Sequence, residues 1–362
     1  MTNPAQSTKR PRALIIGLVI GLASLLAGCS SGVAAAGRAV SGAAQAVTGP
    51  SLGDQETVDP CGYVTASSFA AKAATDTQTH QAEVDIVPST FTDCTVIVNV
   101  PYTGFVGIHI ETNQGVNLTH DNGTDYTTTT KGRFDIVEPK AQAKQECRET
   151  LVLPDREELI LDVTPGDASA DKAQFCDFAD IAVNDAMTAI NQGVKHLPSY
   201  PGNSAGGVKD CNLVDDALAS RLFGDGSTTR DGFGNHVCFI NPPGSGTDVA
   251  QVLTELVRDP KSPDPDRNIT ESTVAGRDTL IHSWTNTNSP IQYCAADTEV
   301  HTWKPWPGSI SPIPSSSTDP EPGSNLIEYE EALVQIQGSA SQACGDAKQL
   351  AASAWAKLPA AS

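Results

Sequence analysis

Nine cysteines are the residues of this chain best suited to do chemistry. A thiolate can attack a carbonyl, bind zinc or oxidise to a disulfide, and spacing separates these roles. Cys29 stands alone near the N-terminus. The other eight fall into two quartets, Cys61, Cys94, Cys147 and Cys176, then Cys211, Cys238, Cys294 and Cys344. Structural zinc sites bring cysteines in pairs about two to four residues apart. The shortest interval within either quartet is 27 residues, from Cys211 to Cys238. No Cys-x-x-Cys or HExxH occurs. The quartets therefore read as disulfides, and neither a metal nor a cofactor is expected. Consecutive elements usually neighbour in space, which favours the sequential pairing Cys61–Cys94, Cys147–Cys176, Cys211–Cys238 and Cys294–Cys344.

Other reactive types are less specific. Gly202-Asn203-Ser204-Ala205-Gly206 has the G-x-S-x-G order of a nucleophile elbow. That motif needs a strand-to-helix turn, and here Tyr200-Pro201 precede it and a Gly-Gly pair follows. His236 and His282 are candidate bases, but no spacing ties either to Ser204. Asp259, Asp264 and Asp266 lie in Asp-Pro-rich sequence without the order of a calcium loop. Asp225 to Asp231 is equally Gly-rich and unspecific. Trp303 and Trp306, in His301-Thr302-Trp303-Lys304-Pro305-Trp306-Pro307, lead into a Pro/Ser-rich stretch that the first half lacks. They are the candidate ligand contacts, since loop tryptophans often anchor partners; the alternative is that Trp303 closes the Cys294 strand. Thr127–Thr130 reads as a loop open to glycosylation.

Around these residues the chain repeats itself. The first half opens Asp59-Pro60-Cys61-Gly62-Tyr63-Val64-Thr65 and the second Lys209-Asp210-Cys211-Asn212-Leu213-Val214-Asp215. Thr65 and Asp215 are N-cap candidates for helices carrying Phe69 and Ala73, then Leu218 and Leu222, at i,i+4 spacing. A strand with the second cysteine follows in each half. Cys94, Val96, Val98 and Val100 alternate with Thr95, Ile97 and Asn99, so the cysteine points into a core. The counterpart is Val237 to Ile240. Gly132-Arg133 and Gly276-Arg277 then precede further strands, among them Phe134–Val137 and Asp278–Ile281. Cys294, Ala296, Thr298 and Val300 alternate with Ala295, Asp297 and Glu299. Leu159 to Val163 and Ala332 to Gln337 are later strands. The fourth cysteine of each half starts a helix that ends in Leu-Pro. The expected fold is α+β: two similar domains, each helix–antiparallel sheet–helix and disulfide-stapled. Domain 1 spans 59–198, a turn-rich linker 199–207 and domain 2 208–362.

Residues 1–28 look like a secretory signal peptide. Lys9, Arg10 and Arg12 precede an apolar run, Ala13 to Leu26, that is shorter than the roughly 20 residues of a membrane span. Leu26-Ala27-Gly28-Cys29 resembles the bacterial lipobox, which implies lipid on the Cys29 sulfur and cleavage before it. Residues 29–58 are then the lipidated cysteine and a tether of small residues reaching roughly 30 Å. The chain carries 23 basic and 43 acidic residues, a formal charge of −20. Removing the leader takes away three bases and no acid and brings this to −23. Such a polyanion is not a nucleic-acid partner.

The opening Asp59-Pro60-Cys61-Gly62-Tyr63-Val64-Thr65, with the later cysteines and Leu197-Pro198, resembles an actinobacterial lipoprotein family of unknown function. The second half matches less well. The pattern is also similar to cysteine-paired extracellular sensor domains of some actinobacterial kinases. These resemblances imply a binding or sensing module that is not an enzyme. It would sit on the extracytoplasmic face of the cell membrane, held by its lipid, with an envelope ligand or protein as partner. The groove between the domains, or the Trp303/Trp306 loop, is where a ligand is expected. The alternatives are an envelope serine hydrolase using Ser204 and a structural or assembly protein.

Overall fold

The structure is a computed structural model that describes residues 50–75, 83–100, 104–114, 126–140, 147–165, 172–244, 249–264, 268–285, 290–308 and 325–360. The expected leader, 1–28, and Cys29 lie outside the described residues. In the first half, helix α1 (Ala66–Thr75) precedes seven strands. These are β1 (Glu83–Pro88), β2 (Asp93–Val100), β3 (Gly104–Gln114), β4 (Tyr126–Lys131), β5 (Phe134–Pro139), β6 (Cys147–Val152) and β7 (Glu157–Pro165). Helix α2 (Lys172–Gln192) follows. The second half has two short helices, α3 (Asp210–Leu213) and α4 (Asp216–Phe223). Its strands are β8 (Thr228–Asp231), β9 (Val237–Asn241), β10 (Ala250–Val257), β11 (Ile269–Val274), β12 (Arg277–Thr285), β13 (Ile291–Trp303) and β14 (Leu326–Gln337). Helix α5 (Ala340–Trp355) closes it.

Both sheets are antiparallel and seven-stranded, in the orders β1-β2-β3-β7-β6-β5-β4 and β8-β9-β10-β14-β13-β12-β11. Ranked within its own half, each sheet therefore runs first, second, third, seventh, sixth, fifth, fourth. The four cysteines occupy matching places: ahead of α1 or α4, on the second strand, on the sixth strand and in the closing helix. The bonds are Cys61–Cys94, Cys147–Cys176, Cys211–Cys238 and Cys294–Cys344.

Strand alternation sets which face is dry. In the first sheet the register aligns Val96 with Ile108 and Ile108 with Val163, all fully buried, and Phe178, Ala182 and Val183 of α2 share their core. In the second, Ala296 aligns with Ala332, and α5 covers them with Ala347, Leu350 and Ala354. The expected cap holds at α4, where Asp215 Oδ1 accepts from Ala217 N (2.8 Å) and Leu218 N (3.3 Å). Thr65 is tied to the closing helix, its hydroxyl donating to Asp185 Oδ2 at 3.0 Å.

One reading changes and two gain detail. Thr127–Thr130 is no loop: it forms β4, paired with β5 from Tyr126↔Pro139 to Lys131↔Phe134. Asp225–Asp231 runs from a turn into β8. Residues 199–207 do not hang free, because Ser204 and Ala205 are buried and Ala205–Gly207 form a 3-10 turn. A Cβ on Gly206 would lie 2.4 Å from the Tyr200 ring, so only glycine lets that ring close over the turn.

The described residues belong to one compact unit, Ala46–Ser362, and the halves meet over a third apolar cluster. Phe91, Leu197, Leu256, Trp303, Trp306 and Leu326 form it. Phe233 of the second half packs into the core of the first. Beside them Arg258 makes a bidentate pair with Asp85 at 2.5 Å, and Leu256 N donates to Ser89 O at 2.8 Å.

Candidate functional site

The face of the second sheet opposite α5 is unlike the dry one. Register brings Leu280 of β12, Asp297 of β13 and Glu331 of β14 into one row across three strands. His282 lies one row further along β12, diagonal to Asp297, close enough for side chains to meet. His282 Nε2 stands 2.9 Å from Asp297 Oδ2 and 4.0 Å from Glu331 Oε2. Lys261, just past β10, puts its ammonium 3.2 Å from Asp297 Oδ1 and also pairs with Glu255. Its backbone amide donates to Tyr329 Oη at 3.0 Å. Outside the cluster Trp284 stacks between His282 (5.1 Å) and Tyr293 (5.4 Å), and it is one of two large hydrophobic side chains left exposed among the described residues.

The electrostatics are uneven. Burial works to raise Asp297, but His282 and Lys261 beside it prevail and hold its carboxyl below the usual range. Burial, reinforced by the charges of Glu255 and Asp297, pushes Glu331 well above that range. Burial would lower Lys261, yet Asp297, Glu255 and Glu331 outweigh it and keep the ammonium charged. Three carboxyl groups thus face one permanent cation and one imidazole. His282, Asp297 and Glu331 each offer one ligand atom, all within 4.8 Å of one another, so among the described residues these could hold a metal.

A pocket of about 500 Å³ opens beside this row. Lys261, Glu271, Thr273, Asp297, Glu299 and Tyr329 contribute to its wall, with Leu280 and Pro263 as apolar patches. The mix of opposite charges, hydroxyls and an aromatic ring suits a small polar ligand. A smaller cavity of about 230 Å³ lies in the groove between the halves, walled by Thr92, Asp93 and Glu111 on one side and by His236, Phe239 and Leu253 on the other. Burial raises Asp93 to about 6 there, against hydrogen bonds from Thr90 and Thr92 that lower it.

The residues picked out from sequence have other places. Trp303 and Trp306 are buried, 6% and 4% exposed, and meet edge to face at 4.9 Å in the cluster between the halves. A buried indole in that position cannot anchor a partner at the surface. Trp303 ends β13, the packing alternative. Ser204 is 2% exposed, and its hydroxyl donates to Glu328 Oε1 at 2.6 Å and accepts from Gly206 N at 3.0 Å. The same carboxylate accepts from Ala205 N (3.1 Å) and Trp303 Nε1 (2.6 Å). Ser204 therefore caps a turn and closes a buried network. His236 contacts Glu56 O (2.9 Å) and Tyr200 Oη (3.3 Å), and burial lowers its pKa. Asp264 pairs through its backbone with Ile269, while Asp266 lies outside the described residues. The eight core cysteines are consumed in disulfides.

Sequence reasoning missed Lys261, and it weighed His282 only as a base for Ser204. The one available signal was Asp297, an acid on an alternating strand next to Cys294. Its partners sit on separate strands 15 and 34 residues away, so register alone assembles them.

No protein-family model matches the chain, and no curated protein matches it. Among solved structures, the crystal structure of the di-domain ARO/CYC StfQ from the steffimycin biosynthetic pathway covers 82% of this chain and 89% of its own, at 7% identity and a TM-score of 0.13.

Proposed function

We propose that this chain is an exported, lipid-anchored lipoprotein of the cell envelope that acts as a binding or sensing module. We also read it as two tandem copies of one helix–antiparallel sheet–helix domain, divided near residues 199–207. The pocket of about 500 Å³ on the second sheet carries the binding reading, because it gathers Lys261, Asp297, Glu299 and Tyr329 around one space. Four disulfides fit an oxidising, extracytoplasmic compartment. No described helix is long and apolar enough to cross a membrane. Anchoring is read from Leu26-Ala27-Gly28-Cys29. Two or more acyl chains would hold the protein stably where one would not.

Two measurements test this. Cells fed radioactive palmitate should label the protein, and Cys29→Ser should abolish the label. Label retained in that variant, or absent from the parent, removes the anchor. A thermal-shift survey of cell-wall fragments, lipids and peptides should find a ligand that raises the melting temperature. Leu280→Trp, which fills the pocket, should cancel the shift. A survey without any shift, or one that Leu280→Trp leaves intact, counts against this site.

A further inference from the structure

The acids beside the pocket are not demanded by the fold, and the chain contains its own control. In the first sheet Cys147 aligns with Val163, and three residues along Thr150 aligns with Ile160. In the second sheet Cys294 aligns with Val334, and three residues along Asp297 aligns with Glu331. The same strand order and the same disulfide frame therefore close with a hydroxyl and an alkyl group in one half. In the other they close with two carboxyl groups, 1% and 6% exposed. Removing such groups from water is costly unless something compensates.

The geometry supplies a second observation. His282 Nε2 and both carboxylate oxygens of Asp297 are shut off from water, yet none takes part in a hydrogen bond of acceptable angle. The imidazole nitrogen comes to 2.9 Å and the Lys261 ammonium to 3.2 Å without aiming along a hydrogen-bonding direction. Atoms that crowd together at ion-pair distance without hydrogen-bond alignment are arranged as ligands around a shared point are. Nitrogen and oxygen ligands about 2.0–2.2 Å from a tetrahedral ion stand about 3.4 Å apart. The 2.9 and 4.0 Å separations from His282 Nε2 bracket that value.

We infer that His282, Asp297 and Glu331 form a binding site for one divalent cation beside the second-sheet pocket, which Asp297 lines. The ligand set selects the class of ion. One imidazole with two carboxylates suits Zn²⁺ or Mn²⁺, whereas Ca²⁺ asks for six to eight oxygens. Charge agrees: Glu255, Asp297 and Glu331, once ionised, exceed Lys261 by two negative charges, which a divalent ion neutralises. Lys261 is then a competitor that turns from Asp297 toward Glu255 when the ion enters. This deepens the binding-module reading by naming what the site takes, and either can fail alone.

The test uses the full chain, purified in detergent and stripped with a chelator, titrated calorimetrically with ZnCl₂ and with MnCl₂ near pH 7. One equivalent should bind to the parent protein. His282→Gln and Asp297→Asn should each weaken binding at least about 100-fold, since even outer partners of a metal ligand count for 10–100-fold. Lys261→Met should tighten it, the opposite sign, because a competing charge is gone. His109→Gln, in the first sheet, should leave it unchanged. No binding by the parent up to about 1 mM metal, the edge of useful affinity, overturns the site. So does binding that His282→Gln and Asp297→Asn leave intact. If those two variants fail to fold, the Lys261→Met titration and a Co²⁺-loaded parent decide. Unchanged affinity in the first, or no hyperfine-shifted imidazole resonance in the second, overturns the site equally. Loss of metal binding with the ligand-induced thermal shifts intact would sink the ion and spare the module; the reverse would sink the ligand pocket and spare the ion.

Discussion

Replacing Glu328 by alanine probes the network that fastens the linker to the second sheet. Its carboxylate is fully buried and receives three hydrogen bonds, from Ser204 Oγ, Trp303 Nε1 and Ala205 N. Truncation strands three donors in a region where Ser204 and Ala205 are 2% and 0% exposed. A stranded buried donor costs about 1–3 kcal/mol. The sum is reduced because no carboxylate then has to be kept from water, and burial does raise the Glu328 pKa despite those donors. Breaking one side of a buried charged network comes to about 3–5 kcal/mol, which is the loss expected for Glu328→Ala. Ser204→Ala removes one donor and the cap of the 3-10 turn, about 1 kcal/mol each, so about 2 kcal/mol in all. Urea unfolding followed by tryptophan fluorescence gives both values from the midpoint, provided the slope is unchanged. A loss below about 1 kcal/mol for Glu328→Ala, or a larger loss for Ser204→Ala than for Glu328→Ala, would refute the reasoning. The parent protein should also resist a serine-directed phosphonate probe, because Ser204 Oγ is covered. Labelling that disappears in Ser204→Ala would mean the serine is reached and reactive.

Two more outcomes follow from the cores. Burial, with the nearby charges of Asp180 and Glu138, pushes Glu149 to about 8. Between the unfolded carboxyl value of about 4.3 and that value the folded state keeps a proton the unfolded chain has lost, so stability falls as pH rises. Glu149→Gln should match the parent near pH 4 and melt progressively higher than it up to pH 8; parallel melting curves across that range would contradict this. Cys294–Cys344 spans 50 residues and Cys211–Cys238 spans 27. On chain-entropy grounds, replacing both partners by alanine should cost about 4.1 and about 3.5 kcal/mol, and calorimetry should place the first double variant lower.

Much of the frame was legible from residue patterns. Cys94 and Cys294 sit on alternating strands, which told that they face a core, and the repeated order of cysteines told that the frame occurs twice. The helix after Asp215 was marked by its cap. Strands β1, β3 and β10 were not marked, although Val84, Ile86, Val106, Ile108 and Val252 lie in them. Short apolar alternation is common, and only pairing with a neighbour stabilises a strand. Thr127–Thr130 was misread for a related reason, since an exposed edge strand needs no apolar face. Trp303 and Trp306 misled because an aromatic residue beside a Pro-rich stretch looks the same whether it covers a partner or another part of its own chain.

The amino-acid sequence alone determined the frame: two copies of four cysteines, the alternation that turns them inward, and the charged-then-apolar stretch that precedes Cys29. These are local patterns, set by the period of a strand or by a handful of adjacent residues. Tertiary structure alone decided the site. His282, Asp297 and Glu331 come together because β12, β13 and β14 pair in one register, and a shift of one residue would send each side chain to the opposite face. The burial of Ser204 and both tryptophans was settled in the same way, by contacts between segments far apart in sequence, Ser204 with Glu328 124 residues on and both tryptophans with Phe91, that no short pattern encodes.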